Sequence, residues 1–282
     1  MIPNHNPRRE TQSERPLTFS EFKEACEVIV IWIAVAVAAT ALLVALGSRR
    51  VGLGRRVSIE AIESEDAAAA YERINQWPQF RLLRRMILAR MARYRPGGVL
   101  TDIGCGPGRL LFLIADRFKE LKVIGIDASK EMIELAEKKA LERDKAGRIE
   151  FRIGDVGKLP LESATVDFAV STLSLHHWSN TNSGLSEIHR VLRPGGQMLL
   201  FDLRRDARRF FYWLLVFAQS VVVPFALRRI NEPIGSLLAS YSFEELHHLM
   251  ERAPFKEWKV IGKAAWAYTW GRKEESRAVQ HP

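Results

Sequence analysis

The chain has 282 residues, of which 47% are hydrophobic and 27% charged, and its formal net charge is +9. That length holds one large domain or two small ones with ample material for a core. Two cysteines, Cys26 and Cys105, exclude a disulfide framework and suit a reducing compartment, and the basic balance suits an anionic partner.

Residues 1–25 are polar and contain prolines, and are expected to be disordered. Val28 to Gly47 reads VIVIWIAVAVAATALLVALG, with no charge. A helix of that length spans roughly 30 Å, the thickness of a bilayer core, so residues 26–47 are expected to form a transmembrane helix. A cleaved signal peptide is the rival, but its apolar part is normally shorter and preceded by positive charge. Here Glu21, Lys23, Glu24 and Glu27 precede it. Arg49, Arg50, Arg55 and Arg56 follow the segment, and only Arg15 and Lys23 lie close before it. The positive-inside rule then predicts a single-pass membrane protein with its C-terminal side in the cytoplasm. Residues 48–66 read as a linker. Residues 67–95 have apolar positions at helical spacing with a break at Pro78, and their arginines (Arg81, Arg84, Arg85, Arg90, Arg93, Arg95) face either anionic lipid or solvent.

From 98 to 203 apolar strands alternate with amphipathic helices, the strands falling at about 98–103, 121–127, 149–153, 166–171 and 197–203. Such alternation predicts a parallel sheet with helices on both faces. Phe210 to Leu227 is a second uncharged stretch, with Arg204, Arg205, Arg208 and Arg209 before it and Arg228 and Arg229 after it. One crossing would put the last helix and strands on the wrong side of a bilayer, and Gln219, Ser220 and Pro224 interrupt it. It therefore reads as an in-plane hairpin held at headgroups by arginine, or as a lid over an apolar pocket. Ser242-Phe-Glu-Glu245 is a capping box opening a helix to about Arg252. Glu257–Ile261 and Ala264–Trp270 read as an antiparallel hairpin, and 273–282 as a tail.

The chemistry concentrates in Val99-Leu-Thr-Asp-Ile-Gly-Cys-Gly-Pro-Gly108: a short strand ending in an acid, three glycines at every second position, then a helix. Glycines allow a sharp turn and the close approach of a ligand, and Asp102 points a carboxylate at it. The loop resembles motif I of the class I S-adenosylmethionine-dependent methyltransferases, of the type 11 or UbiE-like kind. The resemblance continues in order through Val123-Ile-Gly-Ile-Asp-Ala-Ser129, Gly154-Asp155, Val166-Asp-Phe-Ala-Val170 and Leu192-Arg-Pro-Gly-Gly196. It implies an α/β fold: a Rossmann-like doubly wound sheet of parallel strands with a C-terminal antiparallel hairpin. The methyltransferase domain is then 67–272, with 210–227 as an apolar insertion, preceded by the one transmembrane helix.

The same resemblance implies S-adenosyl-L-methionine as cofactor and assigns it residues. Gly104, Cys105, Gly106 and Gly108 lie beneath its amino acid and ribose. Asp102 orients its amino group, and Asp127 accepts from the ribose hydroxyls. Ala128 and Met132 border the adenine, Asp155 and the Val156 amide meet its edge, and Ser171 and Thr172 border the methionine part. Taken singly, Asp127 is also a helix cap, Met132 a core residue and Asp155 a turn residue. A dinucleotide is the rival ligand, but its fingerprint G-x-G-x-x-G differs from this loop, and Pro107 removes an amide donor. His176 and His177, after the fourth strand, are candidates for a general base or a structural pair; no metal site is expected. The expected partners are an apolar or amphiphilic acceptor (quinone precursor, isoprenoid or lipid) and membrane lipid, with no nucleic acid. The alternatives are a small soluble acceptor, or a membrane protein that binds the cofactor without catalysis.

Overall fold

In this computed structural model the described residues are 30, 35–40, 42, 44–56, 65–145 and 147–275. The expected disordered N-terminus, the start of the membrane segment, residues 57–64 of the linker and the tail from 276 lie outside them. The chain divides into two units, Met1–Ser48 and Arg49–Pro282. In the first, Val35–Ser48 is an apolar helix, and no single described helix is both long and apolar enough to cross a membrane.

The second unit is built on a seven-stranded sheet in the order β3-β2-β1-β4-β5-β7-β6. The strands are β1 (Val99–Ile103), β2 (Lys122–Asp127), β3 (Ile149–Ile153), β4 (Val166–Thr172), β5 (Leu192–Leu203), β6 (Glu257–Gly262) and β7 (Trp266–Arg272). Neighbours from β3 to β5 pair in parallel, while β7 runs antiparallel to both β5 and β6. The expected doubly wound fold is present as a mixed sheet. β5 begins at Leu192 rather than near 197, because Val166 pairs with Leu192 before the register shifts to Phe168 opposite Gln197.

Side chains alternate across a strand, so the central strands feed two cores, whereas β3 at the edge gives Ile149 and Phe151 to one of them only. Leu100, Val123, Phe168, Val170, Leu199 and Phe201 face one core, shared with α2 (Pro78–Ala92), α3 (Arg109–Arg117) and α4 (Lys130–Glu142). Ile103, Ile124, Ile126, Ala169, Met198 and Leu200 face the other, shared with α5 (Thr181–Val191) and α9 (Phe243–Arg252). The capping box is as expected: Ser242 Oγ accepts from Glu245 N at 3.2 Å, and Glu245 Oε2 accepts from Ser242 N at 2.7 Å. The remaining helices are α1 (Glu65–Asn75), α6 (Arg209–Val221), α7 (Phe225–Arg229) and α8 (Ile234–Ala239).

Several arginines lie where the sequence alone does not put them. Arg204 and Arg205, expected at headgroups, are buried. Arg204 pairs with Asp206, and Arg205 donates to Leu53 O, Ser240 O and Glu245 Oε1 at 2.6–2.7 Å. Arg84 is also buried, donating to Asn75 O. Residues 49–56, expected within a linker, run along this unit: Val51 N donates to Ala207 O, Arg56 N to Leu238 O and Arg55 Nε to Ala239 O.

Candidate functional site

The sheet order reverses between β1 and β4, and ligands of open α/β sheets bind beyond the carboxyl ends of strands at such a point. Asp102 stands there. It is only 2% exposed, and its Oδ1 has no hydrogen-bond partner in the protein. Desolvation, then the charge of Asp127, push its pKa up to about 8. A buried carboxylate without a partner is costly, so this position calls for a cationic or donor group.

The glycine loop lies beside it. Gly104 and Cys105 donate backbone N–H to Ile126 O, tying the loop to β2. Gly104 has φ of +73°, and a Cβ there would lie 2.2 Å from Ser174 Oγ. The loop is thus pressed against the segment after β4, where Ser174 Oγ accepts from Trp178 Nε1 at 3.0 Å. Gly106 has φ of +51° and open space where a Cβ would be, so bare backbone faces the site. Gly108, also left-handed, precedes α3. Cys105 is buried, and desolvation with the charges of Asp102 and Asp127 keeps its thiol protonated.

Asp127 bridges two elements. Its Oδ2 accepts from Gly106 N at 2.7 Å and its Oδ1 from Ser129 N at 3.0 Å. The residue therefore both shapes the loop and joins the cap of α4, and carboxylate oxygens have lone pairs left for hydroxyl donors. Ala128 is exposed beside it, while Met132 is buried, 4% exposed. Asp155 is exposed, with Oδ1 accepting from Gly157 N at 2.7 Å, and Val156 packs in the core with Trp178 and Leu185. Ser171 Oγ and Thr172 Oγ1, at the end of β4, are buried without partners. Leu173 follows in the left-handed region at φ +54°, a strained conformation for a side chain of that size. Glu72 of α1 pairs with Arg109 at the start of α3 and Lys139 of α4.

His176 and His177 differ sharply. His176 Nδ1 lies 2.8 and 2.9 Å from the two oxygens of Asp202, and its backbone N–H donates to Asp202 Oδ2 at 3.0 Å. Its Nε2 is buried and unpartnered. Desolvation lowers its pKa, but the charge and hydrogen bond of Asp202 outweigh that and raise it overall. His177 is exposed; partial loss of water, then the neighbouring His176, hold its pKa down. Both line a cavity of about 650 Å³ whose other walls include Arg55, Tyr241 and Arg252. Asp202 was missed from sequence; the one signal for it was its place at a carboxyl strand end, like Asp102 and Asp127. Among the described residues no group of three or more His, Cys, Asp or Glu side chains is placed to hold a metal.

A family profile described as "Methyltransferase domain" matches residues 101–200. Residues 101–200 belong to the class I S-adenosylmethionine-dependent methyltransferases. An O-methyltransferase of Pyrenophora dematioidea is 36% identical over 124 residues, covering 43% of this chain and 46% of that protein. The ubiquinone/menaquinone biosynthesis C-methyltransferase UbiE of Geotalea daltonii is 27% identical over 178 residues, covering 62% and 72%. The chain thus spans about half the length of the fungal relative. The solved structure of a Methanococcus maripaludis protein superposes with a TM-score of 0.58 at 19% identity, over 81% of this chain and all of that one, which shows the fold.

The methyltransferase domain's own residues fit S-adenosylmethionine. Asp102 would hold the ammonium group, Gly106 would lie against the methionine and ribose, and Asp127 would accept from the ribose hydroxyls. Met132 is core and Asp155 already holds a turn, so the adenine edge is the less built end.

Proposed function

We propose that this protein transfers the methyl group of S-adenosylmethionine to an apolar or amphiphilic small molecule, at the cytoplasmic face of a membrane to which residues 26–47 anchor it. The observation that carries methyl transfer is the buried, unpartnered carboxylate of Asp102 beside the open backbone of Gly106. The cofactor supplies a methyl already activated by positive sulfur, which leaves the protein to align the acceptor and exclude water. An oxygen or carbon acceptor also needs a proton removed. His176 suits that role in its neutral form, above its raised pKa, where Asp202 holds the one proton on Nδ1 and leaves Nε2 as the acceptor.

The apolar acceptor is supported by the uncharged segments 28–47 and 210–227. Anchoring and orientation are supported by the length of the first segment and by the arginines that follow it. A small soluble acceptor is the second reading, favoured by the polar side chains in the cavity, among them Asn180, Thr181 and Asn182.

A label-partition assay separates the two. The full-length protein is incubated with methyl-labelled cofactor and an extract of its host, and organic and aqueous phases are counted. Enzyme-dependent label should enter the organic phase; label confined to the aqueous phase would move the assignment to a soluble acceptor.

A further inference from the structure

α6 turns its greasy side outward. Phe210, Trp213, Leu214, Phe217 and Val221 are all exposed, Trp213 by 64% and Phe217 by 60%. Their spacing of three, four, seven and eleven residues places them on one face. The opposite face, with Phe211, Tyr212 and Leu215, packs on Ala207, Leu237 and Ala265. Val222 and Phe225 extend the exposed strip around the bend into α7. A helix of a soluble domain carries charge on that side, and large contiguous apolar patches mark interaction surfaces.

The rims are basic. Arg208 and Arg209 open α6, and Arg228 and Arg229 close α7; all four are exposed. Arg49 and Arg50 join the first pair from a distant part of the sequence: Arg209 N donates to Arg49 O at 2.8 Å, and Arg50 and Arg208 form a β-bridge. The nearby acid, Asp206, is paired with Arg204 and lies 4.0 Å from Arg50. A second copy of this chain would bring the same arginines to meet these, so the charge opposes self-association. An anionic bilayer supplies both the apolar interior and the negative rim.

We propose that the outer face of α6 and the bend into α7 dock in the headgroup plane of an anionic bilayer. The segment lies on the membrane rather than across it. α6 has 13 residues, about 20 Å of helix against the roughly 30 Å of a bilayer core. The pair Arg209–Val221 and Phe225–Ala239 is bent by 119°, and Val223 and Leu227 return to pack on Ala70 and Ile74. This docking does not depend on the methyl acceptor or on residues 26–47.

The test uses the full chain with Phe217→Cys in a Cys26→Ser background, Cys105 being buried. A polarity-sensitive fluorophore on residue 217 is exposed to phosphatidylglycerol vesicles carrying nitroxide-labelled lipid, and separately to aqueous iodide. The same label on Lys138→Cys in that background, at an exposed position of α4, is the control. Lipid nitroxide should quench residue 217 and spare residue 138, with iodide doing the reverse. Arg228→Gln with Arg229→Gln should reduce the docked-to-free ratio by about fivefold per arginine. Quenching of residue 217 by iodide alone, or shielding from both quenchers by a protein surface, would overturn the docking. Lipid quenching at residue 217 in a protein that an alkaline wash strips from the vesicles would keep the docking and sink the anchor.

Discussion

Asp102 titrates near 8 instead of near 4 because the fold strips it of water and sets it by Asp127. Its acid form is the one the folded chain prefers. Its contribution to stability is therefore full below pH 4 and is lost as pH rises through about 8. A cationic ligand reverses that preference, so S-adenosylmethionine binding at pH 7 should release close to one proton. Calorimetry in buffers of different ionisation enthalpy measures this; a binding heat independent of the buffer would contradict it. His176 has the same sign for a different reason, since Asp202 favours its charged form. The stability it adds is full below about pH 6.5 and fades as pH rises through its raised folded value. Asp202→Asn should thus cost more stability at pH 6 than at pH 8.5, read from urea midpoints; an equal cost at both would rule out the charged pair. The strand-end acids Asp102 and Asp127 were legible because a strand followed by glycines leaves a carboxylate few other uses. Asp202 was not, because its partner lies 26 positions away and only the parallel pairing of β4 with β5 brings them together.

At the scale of elements, the helices and strands of the central fold follow from periodicity, and their ends from caps such as Ser242 with Glu245. The basic runs do not follow. Arg205 and Arg208 look alike beside an apolar stretch, yet one is buried and the other exposed. Three acceptors decide it: Leu53 O, Ser240 O and Glu245 Oε1 converge on Arg205 from three separate segments. The guanidinium thereby fastens residues 49–56 to the start of α9. Removing it leaves those acceptors short of a donor, so Arg205→Met should destabilise the protein by about 3 kcal/mol. Limited proteolysis should then cut first within 49–56. Unchanged stability and an intact strap would remove Arg205 from that role.

At the scale of the whole molecule, the proposed anchor and the proposed docking face act on a membrane in different ways. A spanning helix resists salt and alkali, whereas a surface held by arginines loosens as salt screens it. The full chain should stay in the membrane fraction through high salt and sodium carbonate. Release by either would contradict a spanning segment, whatever the state of α6.

The last strand among the described residues, β7, does not lie at the sheet's edge but between β5 and β6. Synthesis therefore delivers β5 with an open flank, and the strand that fills it arrives only when the rest of the sheet is made. The apolar helix Val35–Ser48 leaves the ribosome long before that point. Were that helix part of the proposed anchor, insertion machinery would meet an unfinished domain, and the sheet would close only after translation has passed Arg272.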